Sequence, residues 1–357
     1  MSRHTDIHPA AELLEALISA ELRQADPSAS PAVRAATPAL WQQTHALARH
    51  HGVAALAMNA IERLPDPLLP PIPLASLWMA DAETVRRRNA AVDRAVVSLF
   101  AAMHAAGLSP VLVKGQGVAC FYPDPSARQS GDIDIFLPAG PAAAAPFLKR
   151  RSIPAATHPD GSLSFIWQGV QVEIHPRLID IHSPAAGRRL EALGTSASAV
   201  NILGAPIAVP DPETNLLLIS AHIFKHAIGL GIGLRQFCDL AAATAALAHV
   251  ADTARLQALI TAAGLTRWHA VVSAMLSQSL GLTASLTTSS PTSSKLRLAR
   301  RLHRNVLSDG NFGHSRRRGA LATALAFIAR APFSLAIAPR EAVRCFACLA
   351  AGQKHRL

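Results

Sequence analysis

Two short runs of alternating polar and apolar residues in the middle of the chain constrain its fold most strongly. Residues 131–136 read Gly-Asp-Ile-Asp-Ile-Phe, and residues 170–175 read Val-Gln-Val-Glu-Ile-His. Side chains two apart in a β-strand point to the same face of the sheet. Each run therefore predicts a strand with one apolar and one polar face.

Apolar residues recur at helical spacing on both sides of these strands. A long helix is predicted from near Leu74 to near Gly107, after a proline-rich stretch at residues 65–73. After Pro210, the sequence Asp-Pro-Glu supplies a capping carboxylate, a proline suited to the first helical position and an acid in the first turn. Further helices are predicted over about 234–249, 252–263, 265–280, 319–329 and 341–350, and residues 287–294 are predicted to form a loop.

Two β-hairpins are predicted, one joining residues 163–167 to 170–175 and the other joining residues 200–203 to 206–209. The first turns at Gln168-Gly169 and the second at Gly204-Ala205, because a two-residue link that contains glycine is typical of a tight hairpin. A further short strand is predicted at residues 111–113.

These patterns predict three regions, namely an N-terminal helical region at 1–73, a core at 74–210 and a C-terminal helical region at 211–357. The predicted fold class is α/β (α+β), with a small mixed β-sheet core that is flanked by the two helical regions. A chain of 357 residues is long enough for two or three compact units of this kind.

Three acidic residues on the polar faces of the two predicted strands are the main candidates for chemistry. Asp132 and Asp134 share one face of the first strand and repel one another unless a cation lies between them. If the second strand is a neighbour of the first, Glu173 joins them as a third acid. Oxygen ligands of this kind suit Mg²⁺, and three carboxylates can hold two such ions.

A lysine and a glycine turn precede these acids. The predicted strand at 111–113 runs into Lys114-Gly115, and a turn of this kind can present backbone N–H groups to phosphate oxygens. Lys114 and Arg128 both lie ahead of the first acidic strand, so either could neutralise part of a triphosphate.

An ordered set of motifs runs through the chain, namely Lys114-Gly115, Phe121-Tyr122-Pro123, Arg128, residues 131–135, residues 172–175, His222, His226, residues 234–240 and residues 310–313. This set resembles the uncharacterised nucleotidyltransferase family within the DNA polymerase β-like superfamily. The usual loop of the superfamily is Gly-Ser, whereas this chain has Gly115-Gln116, so Lys114 or backbone amides must replace the serine contact.

The resemblance implies a metal-dependent transfer of a nucleotide monophosphate from an NTP to an acceptor, with release of pyrophosphate. It implies Mg²⁺, with two ions expected and Mn²⁺ as the alternative, held by Asp132, Asp134 and Glu173. The expected nucleotide-binding residues are Lys114, Gly115, Gln116, Arg128 and Gly131, and the expected supporting residues are His175, His222, His226, Arg235 and Asp239. The acceptor could be a sugar, a peptide, a protein or RNA.

Two pairs on the predicted C-terminal helices have alternative interpretations. His222 and His226 lie four residues apart on one helix face, and with Asp239 they could bind zinc. A metalloprotease motif is excluded because Ile223 stands where a glutamate base is required. We favour a polar cluster that packs this helix against the core, with an ion pair between Arg235 and Asp239.

The positive charge of the chain is concentrated at its C-terminal end. The net charge is +11, and residues 291–357 contain 13 Lys/Arg but only 2 acidic residues. Such a tail attracts an anionic partner, although a solvated basic face is the simpler interpretation. The chain could therefore be a nucleic-acid or membrane adaptor, or an inactive scaffold that binds NTP.

Composition excludes several classes of protein. Four cysteines are too few for a disulfide-stapled secreted domain of this length, and we interpret Cys345 and Cys348 as packing residues rather than half of a redox or zinc site. The chain has no stretch of about 18 uninterrupted apolar residues, so no integral membrane span is predicted. The polar first nine residues argue against a secretory signal, so a cytoplasmic location is expected.

Overall fold

The computed structural model describes residues 8–194, 196–228, 231–282, 292–309 and 320–350 of the chain. The helices within these residues are α1 (Pro9–Leu22), α2 (Pro31–Arg34), α3 (Pro38–His51), α4 (Ala54–Ile61), α5 (Ile72–His104), α6 (Gln116–Ala119), α7 (Ala145–Arg150), α8 (Pro184–Leu193), α9 (Pro212–Ile228), α10 (Leu234–Leu247), α11 (Thr253–Ala263), α12 (Thr266–Ser279), α13 (Ser293–Asp309), α14 (Ala320–Ile337) and α15 (Pro339–Ala350). The strands are β1 (Val111–Leu112), β2 (Ile133–Phe136), β3 (Ala155–Thr157), β4 (Leu163–Trp167), β5 (Val170–His175), β6 (Ala197–Ile202) and β7 (Ala205–Pro210).

Five of these strands form a small mixed sheet in the order β1-β2-β5-β4-β3, and β6 and β7 form a separate pair. Only the central pair, β2 with β5, is parallel; the other pairs of the five-stranded sheet are antiparallel. Helices lie before and after the sheet along the chain, so the predicted α/β (α+β) class with a small mixed sheet is confirmed.

The central strands bury one face and leave the other to the polar residues, as their alternation predicts. Ile133, Ile135, Val172 and Ile174 are at most 1% exposed. They belong to a core that includes several residues of α5 and the β6–β7 hairpin. Packing of this apolar face therefore orients the acidic residues to the opposite side of the sheet.

Both hairpin turns have the backbone conformation that a two-residue link requires. Gln168 and Gly169 have φ values of 49° and 78°, so the first hairpin turns where it was predicted. The second turns at Leu203 and Gly204, with φ values of 50° and 83°, one residue before the predicted position. The observed register places glycine at the second turn position, where a positive φ is required, so Ala205 does not have to adopt that conformation.

The helices confirm most predicted segments, with two corrections. Asp211 caps α9, since its Oδ1 accepts a 2.9 Å hydrogen bond from the backbone N–H of Thr214. Helix α13 begins at Ser293, inside the predicted loop, because Ala299, Leu302 and Val306 form a buried stripe between its many basic residues. Helix α14 continues to Ile337 with Pro332 inside it, beyond its predicted end. The 310–313 motif lies outside the described residues.

The two helical regions share one hydrophobic core. Leu14 and Trp41 from the N-terminal part pack in the same cluster as Phe237 and Trp268 from the C-terminal part, and the buried Cys345 belongs to it. The division of the chain at 73/74 and 210/211 stays a prediction.

Among the helices that the structure describes, none combines the length and apolar character that crossing a bilayer requires.

Candidate functional site

The parallel pairing of β2 and β5 brings the acids of the two alternating runs together. Asp134 lies opposite Glu173 in the register, and Phe136 lies opposite His175. Asp132 precedes β2 by one residue and is two residues from Asp134 along the chain. Within the described residues, Asp134, Glu173 and His175 form a group whose potential ligand atoms all lie within 4.8 Å of one another.

Asp134 lies at the centre of a cluster of polar contacts. Its Oδ1 is 2.6 Å from His175 Nε2 and 3.4 Å from Lys114 Nζ, and these two nitrogens are 3.3 Å apart. Burial raises the pKa of the Asp134 carboxyl. The charge of Lys114 and the hydrogen bond with His175 outweigh that effect and hold the pKa below its ordinary value. Asp134 is therefore an anion that carries two nitrogen partners.

Asp132 contributes further negative charge beside this cluster. The charge of Asp134 and, to a lesser extent, burial raise the pKa of the Asp132 carboxyl, while the charges of Lys114 and Arg235 oppose that rise. Repulsion between the two aspartates is therefore only partly neutralised by the protein's own cations.

These residues line a cleft of about 300 Å³ between the sheet and helices α9 and α10. The sequence-predicted residues that line it are Lys114, Gly115, Arg128, Gly131, Asp132, Asp134, Glu173, His175, His222, His226, Arg235 and Asp239. Gln116 is not among the residues that line it. The C-terminal helical region forms the wall opposite the acids.

The turn after β1 lies directly against the acidic strand. Gly115 has a φ of 50°, and a Cβ added there would be 3.3 Å from the backbone oxygen of Asp132. The next residue, Gln116, directs its side chain to Asp93 and Ser130, and each forms a hydrogen bond with it. Gln116 thus ties α6 to α5 and to the loop that precedes β2.

Arg128 and Asp239 form a buried ion pair that joins the core to α10. Arg128 Nε and Nη2 donate to the two carboxylate oxygens of Asp239 at 2.7 and 2.8 Å, and the Tyr122 hydroxyl donates to the same carboxylate at 2.7 Å. Arg235, which was predicted to pair with Asp239, donates to the backbone oxygen of Gln129 at 2.8 Å. Burial lowers the pKa of Arg235, and the nearby Asp239 opposes that effect.

His222 and His226 lie on the face of α9 that lines the cleft. Their rings meet edge to face with centroids 4.5 Å apart. Burial lowers the pKa of both rings, to about 3 for His226, and neighbouring cations such as Lys225 add to that effect. Both rings are therefore neutral near pH 7. Within the described residues, the group close enough to share an ion is the one at Asp134, and it does not include these two histidines.

Sequence reasoning missed two side chains of α5 that hold the loop before β2. Arg88 donates from Nε to the Ser130 oxygen at 3.1 Å and from Nη2 to the Gly131 oxygen at 2.9 Å. The buried Asn89 donates to the backbone oxygen of Arg128 at 2.7 Å. No sequence spacing marks either residue, because their partners lie about 40 residues further along the chain.

Sequence reasoning also missed four charged residues of the cleft. Lys225, on α9, forms an ion pair with Asp180. Asp180 and Arg177 both lie between β5 and α8, and Asp160 lies between β3 and β4. The sequence indicated Lys225, since it follows His222 by three residues, a spacing that places two side chains on the same helical face.

Sequence comparison identifies the family to which the chain belongs. No curated protein matches the chain. Among solved structures, it is similar to an antigenic nucleotidyltransferase-like protein from Paracoccidioides brasiliensis, at 12% identity and a TM-score of 0.35, over 55% of this chain and 94% of that one. Residues 37–281, more than half of the chain, match the family described as uncharacterised nucleotidyltransferase. The chain therefore belongs to the uncharacterised nucleotidyltransferase family.

Proposed function

We propose that this protein is a metal-dependent nucleotidyltransferase that moves an NMP group from an NTP to an acceptor. An oxygen of the acceptor bonds to the α-phosphorus of the NTP, and the bond from that phosphorus to the bridging oxygen of the leaving pyrophosphate breaks. The acceptor proton is released to a base or to water. The observation that carries this proposal is the pairing of Asp134 with Glu173 inside a cleft that also contains Asp132.

The donor set of the cleft fits divalent cations. Asp134, Glu173 and His175 offer ligand atoms close enough to surround one ion, and Asp132 adds a carboxylate to the same cleft. The raised pKa of Asp132 reflects negative charge that the protein's own cations only partly offset. Asp132, Asp134 and Glu173 would hold two Mg²⁺, with Mn²⁺ as the alternative. Such ions activate an attacking oxygen and stabilise a leaving pyrophosphate.

The residues around the glycine turn would position the triphosphate. Lys114 and Arg235 supply positive charge to the cleft, and Gly115 and Gly131 bring the backbone close to it without a side chain in the way. Arg128 lines the same cleft, but its Nε and Nη2 donate to Asp239 and its Nη1 donates to the Ser130 hydroxyl, so its main effect would be on the position of the loop. Gln116 would act through its backbone.

The wall formed by α9 and α10 would contact the acceptor. His222 and His226 present neutral rings to the cleft, and Lys225 adds a cation that Asp180 partly balances. Neutral imidazoles can accept a hydrogen bond from a hydroxyl group. This wall therefore suits a polar acceptor.

Catalysis can be tested with each labelled NTP and Mg²⁺, by measuring release of pyrophosphate and transfer of label to protein, RNA and sugar acceptors. We expect release with at least one NTP and a loss of about 100-fold or more in Asp134→Asn and Glu173→Gln, since such groups act on the reacting phosphate. Glu12→Gln is the matched control, because Glu12 is an exposed acid on α1 outside the cleft.

The outcomes separate this proposal from its alternatives. Pyrophosphate release that persists in both cleft variants would overturn the assignment of the site. Tight NTP binding without release from any NTP would indicate an inactive scaffold. Binding to nucleic acid or anionic vesicles that weakens steeply with salt, and that depends on residues 291–357, would indicate an adaptor.

A further inference from the structure

We propose that His175 is a direct metal ligand, so that the ion at Asp134 and Glu173 has a mixed oxygen and nitrogen shell that favours Mn²⁺ over Mg²⁺. This inference rests on the proposed function for the presence of a divalent ion in the cleft. It adds a ligand to the three carboxylates and assigns a preference for the metal.

The register of the sheet places His175 where a third ligand belongs. It follows Glu173 by two residues on β5, so both side chains lie on the same face as Asp134 of the neighbouring strand. Its Nε2 is 2.6 Å from Asp134 Oδ1, and its Nδ1 is 3.6 Å from Glu173 Oε1. The imidazole therefore lies between the two carboxylates rather than beside only one of them.

The ammonium group of Lys114 lies close to these potential ligand atoms. Lys114 Nζ is 3.4 Å from Asp134 Oδ1 and 3.3 Å from His175 Nε2. Its ammonium supplies positive charge at the point where an anionic oxygen and an imidazole nitrogen converge. A divalent ion bound by those two atoms would replace the hydrogen bond between them and move the ammonium towards the cleft, where a triphosphate would lie.

A nitrogen ligand changes which ion the site prefers. Mg²⁺ takes oxygen ligands almost exclusively and gives up its water reluctantly. Imidazole instead suits first-row transition ions, and the affinity of a given nitrogen and oxygen site rises through that series from Mn²⁺. A site of two carboxylates and one imidazole therefore discriminates against Mg²⁺ more strongly than a site of three carboxylates does.

The competing role for His175 is that of a positioning residue. In that case the ring donates a hydrogen bond to Asp134 and stays outside the coordination shell, as carboxylate partners commonly do in metal sites. Loss of affinity in a His175 variant would not separate the two roles. A measurement that detects nitrogen bonded to the metal separates them directly.

The experiment uses the full chain with Mn²⁺ alone, without nucleotide, and records electron spin echo envelope modulation of the bound ion. We expect ¹⁴N modulation from a coordinated imidazole, which changes to the ¹⁵N pattern when the protein is made with ¹⁵N-histidine. His175→Gln should abolish the modulation and lower the ratio of Mn²⁺ to Mg²⁺ affinity by about 10- to 100-fold. His222→Gln is the matched control, since this histidine lines the same cleft and should leave the modulation unchanged.

Two other results would overturn the inference. Bound Mn²⁺ without ¹⁴N modulation in the wild-type protein would place His175 outside the shell, while a carboxylate-bound ion and the proposed function would stand. This result needs no variant, so it decides against the inference even if His175→Gln does not fold. Absence of Mn²⁺ and Mg²⁺ binding at millimolar concentration, with or without NTP, would remove both the inference and the metal-dependent function.

Discussion

At the scale of single residues, the cleft depends on charges that are buried with their partners. Asp134 is anionic because Lys114 and His175 compensate for its burial, and Asp239 is compensated by the two-pronged contact from Arg128. Removal of one partner from such a pair destabilises the folded protein, because the other charge is then buried without a partner. Arg128 therefore has a structural effect that can be measured apart from any contact with nucleotide.

Replacement of Arg128 by methionine should lower the free energy of unfolding by about 3–5 kcal/mol, because Asp239 then lies buried without its partner. Urea denaturation followed by circular dichroism measures the change. Arg87→Met is the control, since Arg87 forms an exposed pair with Glu83 one helical turn away and should lose no more than about 0.5 kcal/mol. Wild-type stability in Arg128→Met together with lost NTP binding would contradict this and assign Arg128 to the nucleotide.

At the scale of secondary structure, the turn between β1 and α6 controls how closely the backbone approaches the acidic strand. Gly115 has a left-handed backbone conformation, and its missing side chain leaves space for the carbonyl of Asp132. Any other residue would carry both a conformational cost and a tight contact. Glycine is required at this position by geometry, independently of what the cleft binds.

Gly115→Ala should therefore destabilise the protein by about 1–2 kcal/mol, because an L residue at this φ is strained. Gly187→Ala, in the middle of α8, should stabilise it by about 0.5–1 kcal/mol, since an added Cβ there meets nothing within 4 Å and alanine favours the helix. The two melting temperatures should shift in opposite directions. Equal shifts in the same direction would show that the Gly115 turn relaxes without strain.

At the scale of the whole molecule, buried histidines connect stability to pH. His51 is fully buried in the core between the helical regions, and burial lowers its pKa to about 3. Burial likewise lowers the pKa of His269 to about 4. Both rings are neutral in the folded protein, whereas in the unfolded chain they take up a proton near the ordinary value of about 6.5.

The sign of the pH dependence follows from that difference. As pH falls below about 6.5, the unfolded chain binds protons that the folded protein excludes, so the free energy of unfolding decreases. The loss should reach about 2 kcal/mol for each of these histidines at pH 5 and continue towards pH 4. Denaturation curves from pH 7 to pH 4.5 measure it.

His269→Leu should reduce the slope with which the free energy of unfolding falls at acidic pH. The variant lacks the imidazole that takes up a proton in the unfolded chain but not in the folded protein. The exposed His249 provides the control, and His249→Gln should leave the slope unchanged, since solvent reaches that ring in both states. If the free energy of unfolding falls with the same slope at acidic pH in His269→Leu and in the wild type, His269 is protonated in the folded protein.

Local patterns were sufficient to predict much of the sheet and part of the site. The two-residue period of β2 and β5 predicted which side chains share a face, and the glycine at position 169 predicted the first turn. The faces of Asp134 and Glu173 follow directly from that alternation, since a strand cannot bury its isoleucines without exposing the residues between them. The cap at Asp211 was likewise readable, because its partner is three residues away.

The amino-acid sequence by itself determined which residues could share a face, where the first hairpin turns and where most of the helices lie, because these depend on interactions between near neighbours. Only the tertiary structure decided that β2 and β5 are parallel neighbours, that Arg128 reaches Asp239 across 111 positions and that the side chain of Gln116 leaves the cleft for Asp93. These pairings arise when separate elements pack together. The packing of a common core selects them, and no local period in the sequence records that selection.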